Sequence, residues 1–366
     1  MGRIIGILGG GQLAQMLCES GEKSGHKTIV LDPSGDACGG KVADEFYRAK
    51  YTEREILKKI AERASVITYE FENIPRETVE IIENFGGRVP QSYRPLYLSQ
   101  HRIREKKAVE KLNIPLGKYQ GVRTYLDLQR AIESVGYPGI LKSATGGYDG
   151  KGQWVIENEE DFRALDFQEG EYIYEEKIDL EREVSILVGR SLNGQMVMFP
   201  VAENIHRDGI LRKTIVPAHI SKDEERELKN YGLKIMEGLN FYGILCMEFF
   251  IGKDGRILFN EMAPRPHNSH HYTLDSCQYS QFDLLIKAIL GEELEEPKLY
   301  FPVIMLNILG EDRKKIENKN FPENWKIKLY GKTPWKPGRK MGHINIIGET
   351  LEEIEEEINK FWREDE

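Results

Sequence analysis

The stretch ILCMEFFIGKDGRILFNEMAPRPHNSHH, residues 244–271, decides how the rest of the chain is read. Two apolar runs flank Asp254-Gly255, a strong hairpin signal. A two-residue turn there sets Glu248 directly opposite Glu261, with Cβ atoms about 5 Å apart. Two ionised carboxylates at that spacing repel by about 3 kcal/mol at an effective dielectric near 20. A chain that keeps both charged needs a cation between them. Oxygen donors suit Mg²⁺, which takes one or two carboxylates and fills its shell with water and phosphate. Asn260 adds a further oxygen. An exposed acidic pair on a surface hairpin is the plain alternative, but this hairpin runs on into a loop bearing Arg265, His267 and Asn268. His270 and His271 also raise zinc, weakly, because no further Cys or His stands at metal spacing.

A glycine-rich loop lies upstream. Lys142 ends the expected strand Gly139–Ser143, and TGGYDGKG follows at 145–152, before a strand at Gln153–Ile156. Four glycines in eight residues free backbone N–H groups to wrap phosphate oxygens. Lys142 and Lys151 bring positive charge. The pattern is not G-x-x-x-x-G-K-[ST], so it is no P-loop. Its place between two strands suits a flap over a nucleotide.

The chain opens with IIGILGGGQLAQM, residues 4–16. Gly9, Gly11 and Ala14 fit G-x-G-x-x-G/A, and Asp32 ends a second apolar run where a dinucleotide-binding unit places its ribose acid. A dehydrogenase reading rests on these residues alone and leaves Glu248, Glu261 and the second glycine loop without a role.

Length, composition and charge narrow the class. The 366 residues allow two or three domains. With 40% apolar and 30% charged residues the chain reads as soluble and globular. No run of about 18 apolar residues predicts a membrane span, and no signal peptide is expected. The scattered Cys18, Cys38, Cys246 and Cys277 read as reduced thiols of a cytoplasmic protein. A net charge of −9 argues against nucleic acid as partner. Residues 1–100 alternate buried strands with helices, as a parallel sheet does. From about 138 the strands look antiparallel, the S-x-x-E box at Ser221 opens a helix, residues 292–302 read as a linker, and Leu351–Phe361 reads as an acidic helix.

GGYDGKGQ, EN-x-H at 203–206, NEMAPRPHNS and the opening GGGQL together resemble the N5-carboxyaminoimidazole ribonucleotide synthetase family of ATP-grasp enzymes. The resemblance runs from about residue 4 to 343. It implies an α/β and α+β architecture in three parts. These are a Rossmann-like parallel-sheet domain (1–100), an ATP-grasp domain (101–296, flap about 118–190) and a small β-rich C-terminal domain (297–366). It implies ATP and Mg²⁺, two ions, as cofactors, 5-aminoimidazole ribonucleotide and bicarbonate as substrates, carboxyphosphate as intermediate, and a homodimer.

Roles follow motif by motif. Arg102, Lys106 and Lys142 are expected near the phosphates, and Gly147, Gly150, Lys151, Gly152 and Gln153 form the flap. Glu175, Glu176, Lys177 and Ile178 are expected to hold adenine, largely through backbone groups, Glu183 the ribose, and His206 the nucleotide, with Asn260 beside the metal. Glu248 and Glu261 bind Mg²⁺. Arg265 and His267 stabilise bicarbonate and carboxyphosphate, while Tyr148 and Asp149 reach the substrate amine. Gln12, Leu13, Glu72 and Asn268 contact the ribonucleotide, and Lys332, Arg339 and Lys340 its phosphate, for which arginine's planar fork is suited.

Three places depart from the family's pattern. Ala14 and Gln15 replace Gly and Arg, His101 replaces Asp, and His270 stands where Gly is usual, putting a side chain into a tight loop beside the metal site. Formate-dependent glycinamide ribonucleotide transformylase is the nearest rival reading, and biotin carboxylase a weaker one.

Overall fold

The computed structural model describes residues 2–146, 152–317 and 319–362. Strands β1 (Ile4–Leu8), β2 (Lys27–Leu31), β3 (Glu45–Tyr47) and β4 (Val66–Tyr69) form a parallel sheet in the order β3-β2-β1-β4. Strands β1, β2 and β4 are near-continuous apolar runs, as strands covered on both faces must be. The order reverses beside β1, so the carboxyl ends of β1 and β4 open a crevice of the kind that binds ligands. Helix Gln12–Lys23 follows β1. Its Leu13, Met16 and Leu17 share one apolar cluster with Phe282 and Leu285 of helix Gln281–Leu290. Ser20 donates to Asp283 at 2.5 Å inside that contact. A common core therefore fixes the first sheet to a helix from the later part of the chain.

A second sheet is wholly antiparallel: β5 (Tyr119–Val122), β6 (Gly139–Ser143), β7 (Gln153–Ile156) and β8 (Tyr172–Glu176), in the order β5-β8-β6-β7. Val122, Leu128, Leu141, Phe162 and Tyr174 make its own small core. The resemblance implies a flap at about 118–190, but β9 (Leu180–Arg190) lies outside this sheet and pairs with strand Gly243–Gly252 of the third.

The third sheet has nine strands. Besides β9 it contains β10 (Met196–Met198), β11 (Ala202–Arg207), β12 (Ile210–Val216), β13 (Gly243–Gly252), β14 (Ile257–Ala263), β15 (Val303–Leu309), β16 (Trp325–Leu329) and β17 (Lys340–Ile347). The C-terminal strands do not close on themselves. They extend the large sheet through β12, with Val216 opposite Val303.

The hairpin β13–β14 corrects the expected turn. Gly252 N–H reaches Arg256 O at 3.0 Å, and Gly255 N–H reaches Gly252 O at 2.8 Å with Gly255 at φ +79°. This is a three-residue loop closed by a left-handed glycine. The register next to it pairs Ile251 with Ile257 and Phe249 with Phe259. A bulge that leaves Asn260 without a partner then shifts the ladder by one, and Glu248 still faces Glu261.

Candidate active site

Helix Arg102–Glu110 turns Arg102, Glu105 and Lys106 toward the end of β14, because residues three and four apart share a helix face. Arg102 Nη1 lies 3.2 Å from Glu261 Oε2. Glu105 accepts the Met262 N–H at 2.9 Å, and Lys106 Nζ donates to Asn260 O at 3.2 Å. Lys106 and Lys142 both reach the buried Glu175, at 2.9 and 2.5 Å. Burial alone would raise the Glu175 carboxyl, but the two ammonium groups outweigh it and hold the acid below the usual carboxylate range.

Across from the lysines, burial first and Glu261 second push Glu248 up to about 8. This is the signature of two acids crowded where a cation belongs. His267 Nε2 lies 3.7 Å from Glu248 Oε1 and its Nδ1 is 2.8 Å from Ser269 Oγ. Burial and then Arg265 lower the His267 imidazole well below its ordinary value, so it is neutral. His206 pairs with Glu183. Burial works against the His206 charge, but Glu183 and Glu248 together raise it.

The first glycine loop meets the other side of this cleft. Gly10 N–H donates to Asp32 at 2.8 Å and Gly11 N–H to Glu70 at 2.9 Å. Asp32 also accepts from Tyr51 OH at 2.9 Å. The acid that a dinucleotide would need for its ribose is thus spent on the loop itself, and two acids face the amides where a pyrophosphate would sit. At the end of the same strand, Glu72 pairs with Arg265 Nε at 2.5 Å. Lys332, drawn down by burial, lies within electrostatic reach of Cys38 and Glu70, which brings the C-terminal basic loop over the first glycine loop. Lys340 is close enough to act on Glu248 and His267.

Comparison with known proteins fits this geometry. Residues 107–282 match the ATP-grasp domain, 1–98 the ribonucleotide synthetase preATP-grasp domain, and 303–357 the phosphoribosylaminoimidazole carboxylase C-terminal domain. The N5-carboxyaminoimidazole ribonucleotide synthase of Staphylococcus aureus (strain COL) is 40% identical over 364 residues, 98% of this chain and 96% of that one. The enzyme of Bacillus subtilis (strain 168) is 40% identical over 365 residues, 99% and 96% of the two chains. The chain belongs to the N5-carboxyaminoimidazole ribonucleotide synthase family. Among solved structures, N5-carboxyaminoimidazole synthetase from S. aureus complexed with ADP is 39% identical with a TM-score of 0.93, covering 99% of this chain and 98% of its own. N5-carboxyaminoimidazole synthase from Aspergillus clavatus, in complex with ADP and 5-aminoimidazole ribonucleotide, is 28% identical with a TM-score of 0.90, covering 98% and 97%. Like them, this family member is an ATP-grasp ligase.

Within that frame the expected residues sort by position. Arg102, Lys106, Glu183, His206, Glu248, Glu261, Arg265 and His267 are linked by short contacts and electrostatic interactions into one cluster around the end of β14. The Glu175 side chain is taken up by Lys106 and Lys142, which leaves its backbone for the expected hinge. Of the expected adenine hinge, Glu176 N–H is committed to Lys118 O at 2.9 Å and Lys177 N–H to Pro138 O at 3.1 Å. The Glu176 carboxylate pairs with Arg256, and Lys177 Nζ with Glu157. Ile178, the last residue of the hinge, is half-buried. The Leu13 side chain is core, leaving only its backbone for a ligand, whereas Gln12 is half-buried at the loop. Asn268 holds a buried side-chain Nδ2 without a partner. Arg339 caps Thr333 O and Pro334 O at 2.8 and 3.0 Å. Gly152 adopts φ +71° and accepts the Ser143 N–H at 2.9 Å, while Gln153 pairs with Lys142 on β7. Gly147, Tyr148, Asp149, Gly150 and Lys151 lie outside the described residues.

Sequence reasoning passes over Glu70 and Glu105. Both stand next to residues singled out for other roles, Glu70 two residues before Glu72 and Glu105 three after Arg102. The replacements fit sterically but leave Gln15 Oε1, His101 Nδ1 and His270 Nε2 buried without a hydrogen-bond partner. Ala14 is fully buried, and Gly39 packs so closely on it that a Cβ there would fall 2.6 Å from the Ala14 methyl. His101 lies 3.5 Å from Glu171. His270 is fully buried, with Nδ1 3.0 Å from Ser269 Oγ.

Proposed function

We propose that this protein uses ATP and bicarbonate to carboxylate 5-aminoimidazole ribonucleotide to N5-carboxyaminoimidazole ribonucleotide in purine biosynthesis, releasing ADP and phosphate. The observation that carries the reading is the meeting of Glu248 and Glu261 with Arg102, Lys106, Arg265 and His267 near the first glycine loop. Phosphoryl transfer needs charge neutralisation and alignment more than covalent help. Glu248 and Glu261 would hold Mg²⁺, two ions, whose chemistry is to neutralise the transferring phosphate. Lys106 and Lys142, kept in place by Glu175, face the ATP phosphates. A bicarbonate oxygen attacks the γ-phosphorus, ADP leaves, and carboxyphosphate forms beside Arg265. The exocyclic amine of the ribonucleotide then takes the carboxyl carbon, directly or from released CO₂, and phosphate departs. Neutral His267 can donate a hydrogen bond to the anionic intermediate from one nitrogen. Glu72 is suited to the ribose hydroxyls, and Lys332, Arg339 and Lys340 to the ribonucleotide phosphate. Tyr148 and Asp149 complete the substrate side on the resemblance alone. On the same ground the enzyme acts in the cytoplasm as a homodimer on small molecules.

The test is ADP release from Mg-ATP with aminoimidazole ribonucleotide, with and without bicarbonate, against glycinamide ribonucleotide with and without formate. Release that requires aminoimidazole ribonucleotide, with a bicarbonate-dependent carboxylated product, is the expected result. Release only with formate and glycinamide ribonucleotide would overturn it.

A further inference from the structure

We propose that Cys246, His267 and His270 form a second metal site, selective for soft divalent cations such as Zn²⁺, whose occupation inhibits the enzyme. The three side chains place ligand atoms within 4.8 Å of one another. Cys246 comes from β13, two residues before Glu248 and on the same face of the strand, which is why spacing along the sequence hid it. Its Sγ lies 3.7 Å from His270 Nδ1. Zinc bonds of about 2.3 Å to sulfur and 2.0 Å to nitrogen put tetrahedral S and N ligands about 3.6 Å apart, so this pair needs little movement. Ser269 Oγ sits among the donors, 2.8 Å from His267 Nδ1, 3.0 Å from His270 Nδ1 and 3.9 Å from Cys246 Sγ. It is held there by Ser185 at 2.9 Å, which Asn204 supports at 2.9 Å. The donors are thus arranged before any metal arrives. His271, the other half of the zinc reading, turns away to Gln281 at 3.0 Å.

The ligand chemistry separates this site from the carboxylate pair. A thiol and two imidazoles favour zinc and disfavour Mg²⁺, which prefers oxygen. Binding replaces the Cys246 S–H proton, which leaves to solvent, and no electron moves. A metal on His267 Nδ1 leaves the ring proton on Nε2, which faces Glu248 Oε1. That makes a carboxylate–histidine–metal arrangement, a common means of fixing a metal-bound imidazole. It occupies two groups at once, His267 and Glu248. His267 is the partly exposed member, with 16% of its side chain accessible, so entry is from the cleft. The inhibitory effect rests on the roles given above to His267 and Glu248; the binding itself does not.

Cobalt titration of the full chain tests the binding, read by absorption. One Co²⁺ per chain with a thiolate charge-transfer band and tetrahedral visible bands, displaced by Zn²⁺, is expected. Cys246→Ser should lose the charge-transfer band. His270→Gly, which restores the usual residue, should weaken zinc inhibition at least about tenfold while zinc-free turnover stays within about twofold. Absence of the charge-transfer band in the unaltered chain would overturn the proposal. Zinc inhibition equal in all three proteins would overturn it too, by placing the zinc on Glu248 and Glu261. The absorption readout needs no turnover, so a failure of the proposed reaction is told apart from a failure of this site.

Discussion

Glu248 and Glu261 face one another, yet their surroundings differ. Glu261 is partly exposed and meets Arg102 at 3.2 Å, while Glu248 is enclosed and pushed up to about 8. Glu248 is therefore harder to ionise than an ordinary carboxyl when no metal is bound. Mg²⁺ requires the ionised acid, so binding should release more protons at pH 7 than at pH 9. Calorimetry in buffers of different ionisation heat measures this, and equal release at both values would contradict it. Replacing either acid, Glu248→Gln or Glu261→Gln, should lower kcat/KM by about 10² to 10³, the scale of losing one preorganised electrostatic group. A change of less than about threefold in steady-state assays would remove them from the site. These two acids were legible in the sequence because strand alternation and a turn signal put them opposite one another. Nothing local in the sequence tells that the Glu175 carboxylate turns back to Lys106 and Lys142, or that Leu13 joins a core shared with helix Gln281–Leu290, about 270 residues away.

At the scale of the element, the hairpin shows two departures that cancel. The loop is one residue longer than Asp254-Gly255 alone implies, and the bulge at Asn260 takes up the difference. The facing carboxylates were legible; the bulge was not, because no local turn signal marks it. Glu105 clamps the end of this hairpin to helix Arg102–Glu110 through the Met262 N–H. Burial first and Glu261 second push Glu105 from 4.5 up to about 8. The folded chain thus holds this proton longer than the unfolded chain, so its contribution to stability falls as pH rises from about 4.5 through 8. Glu105→Gln keeps an oxygen for Met262 and removes the titration. Its urea midpoint relative to the unaltered protein should therefore rise between about pH 6 and pH 9, and a constant difference would show that Glu105 is not the group responsible.

For the whole molecule, the main surprise is the continuity of the large sheet. Sequence patterning marked a linker at residues 292–302 and a small β unit after it, with no sign of which strand that unit would join. Pairing between β12 and β15 carries no local signal, since it joins residues about 90 apart. It buries Ile215 with Ile304, Leu306, Ile308, Ile344 and Ile346 in one cluster. A chain ended at residue 296 would expose that face and a bare strand edge, a template for aggregation. It should be insoluble or lack a cooperative melting transition; cooperative unfolding with ADP binding intact would contradict the shared sheet. Among the described residues no helix is long and apolar enough to cross a membrane. The parallel first sheet with its glycine loop and the antiparallel second sheet were readable from hydrophobic period and turn chemistry. The way the sheets come together was not, because it depends on contacts between distant segments such as Arg265 with Glu72 and Ser20 with Asp283.

The central claim is that this cleft activates bicarbonate by phosphorylating it. The most direct test is to run turnover with ATP, aminoimidazole ribonucleotide and ¹⁸O-labelled bicarbonate, quench before the label exchanges with water, and weigh the released phosphate. The account predicts one bicarbonate oxygen in each phosphate formed, because the attacking oxygen stays on phosphorus when the carboxyl group is passed on. Unlabelled phosphate formed alongside carboxylated product would contradict it.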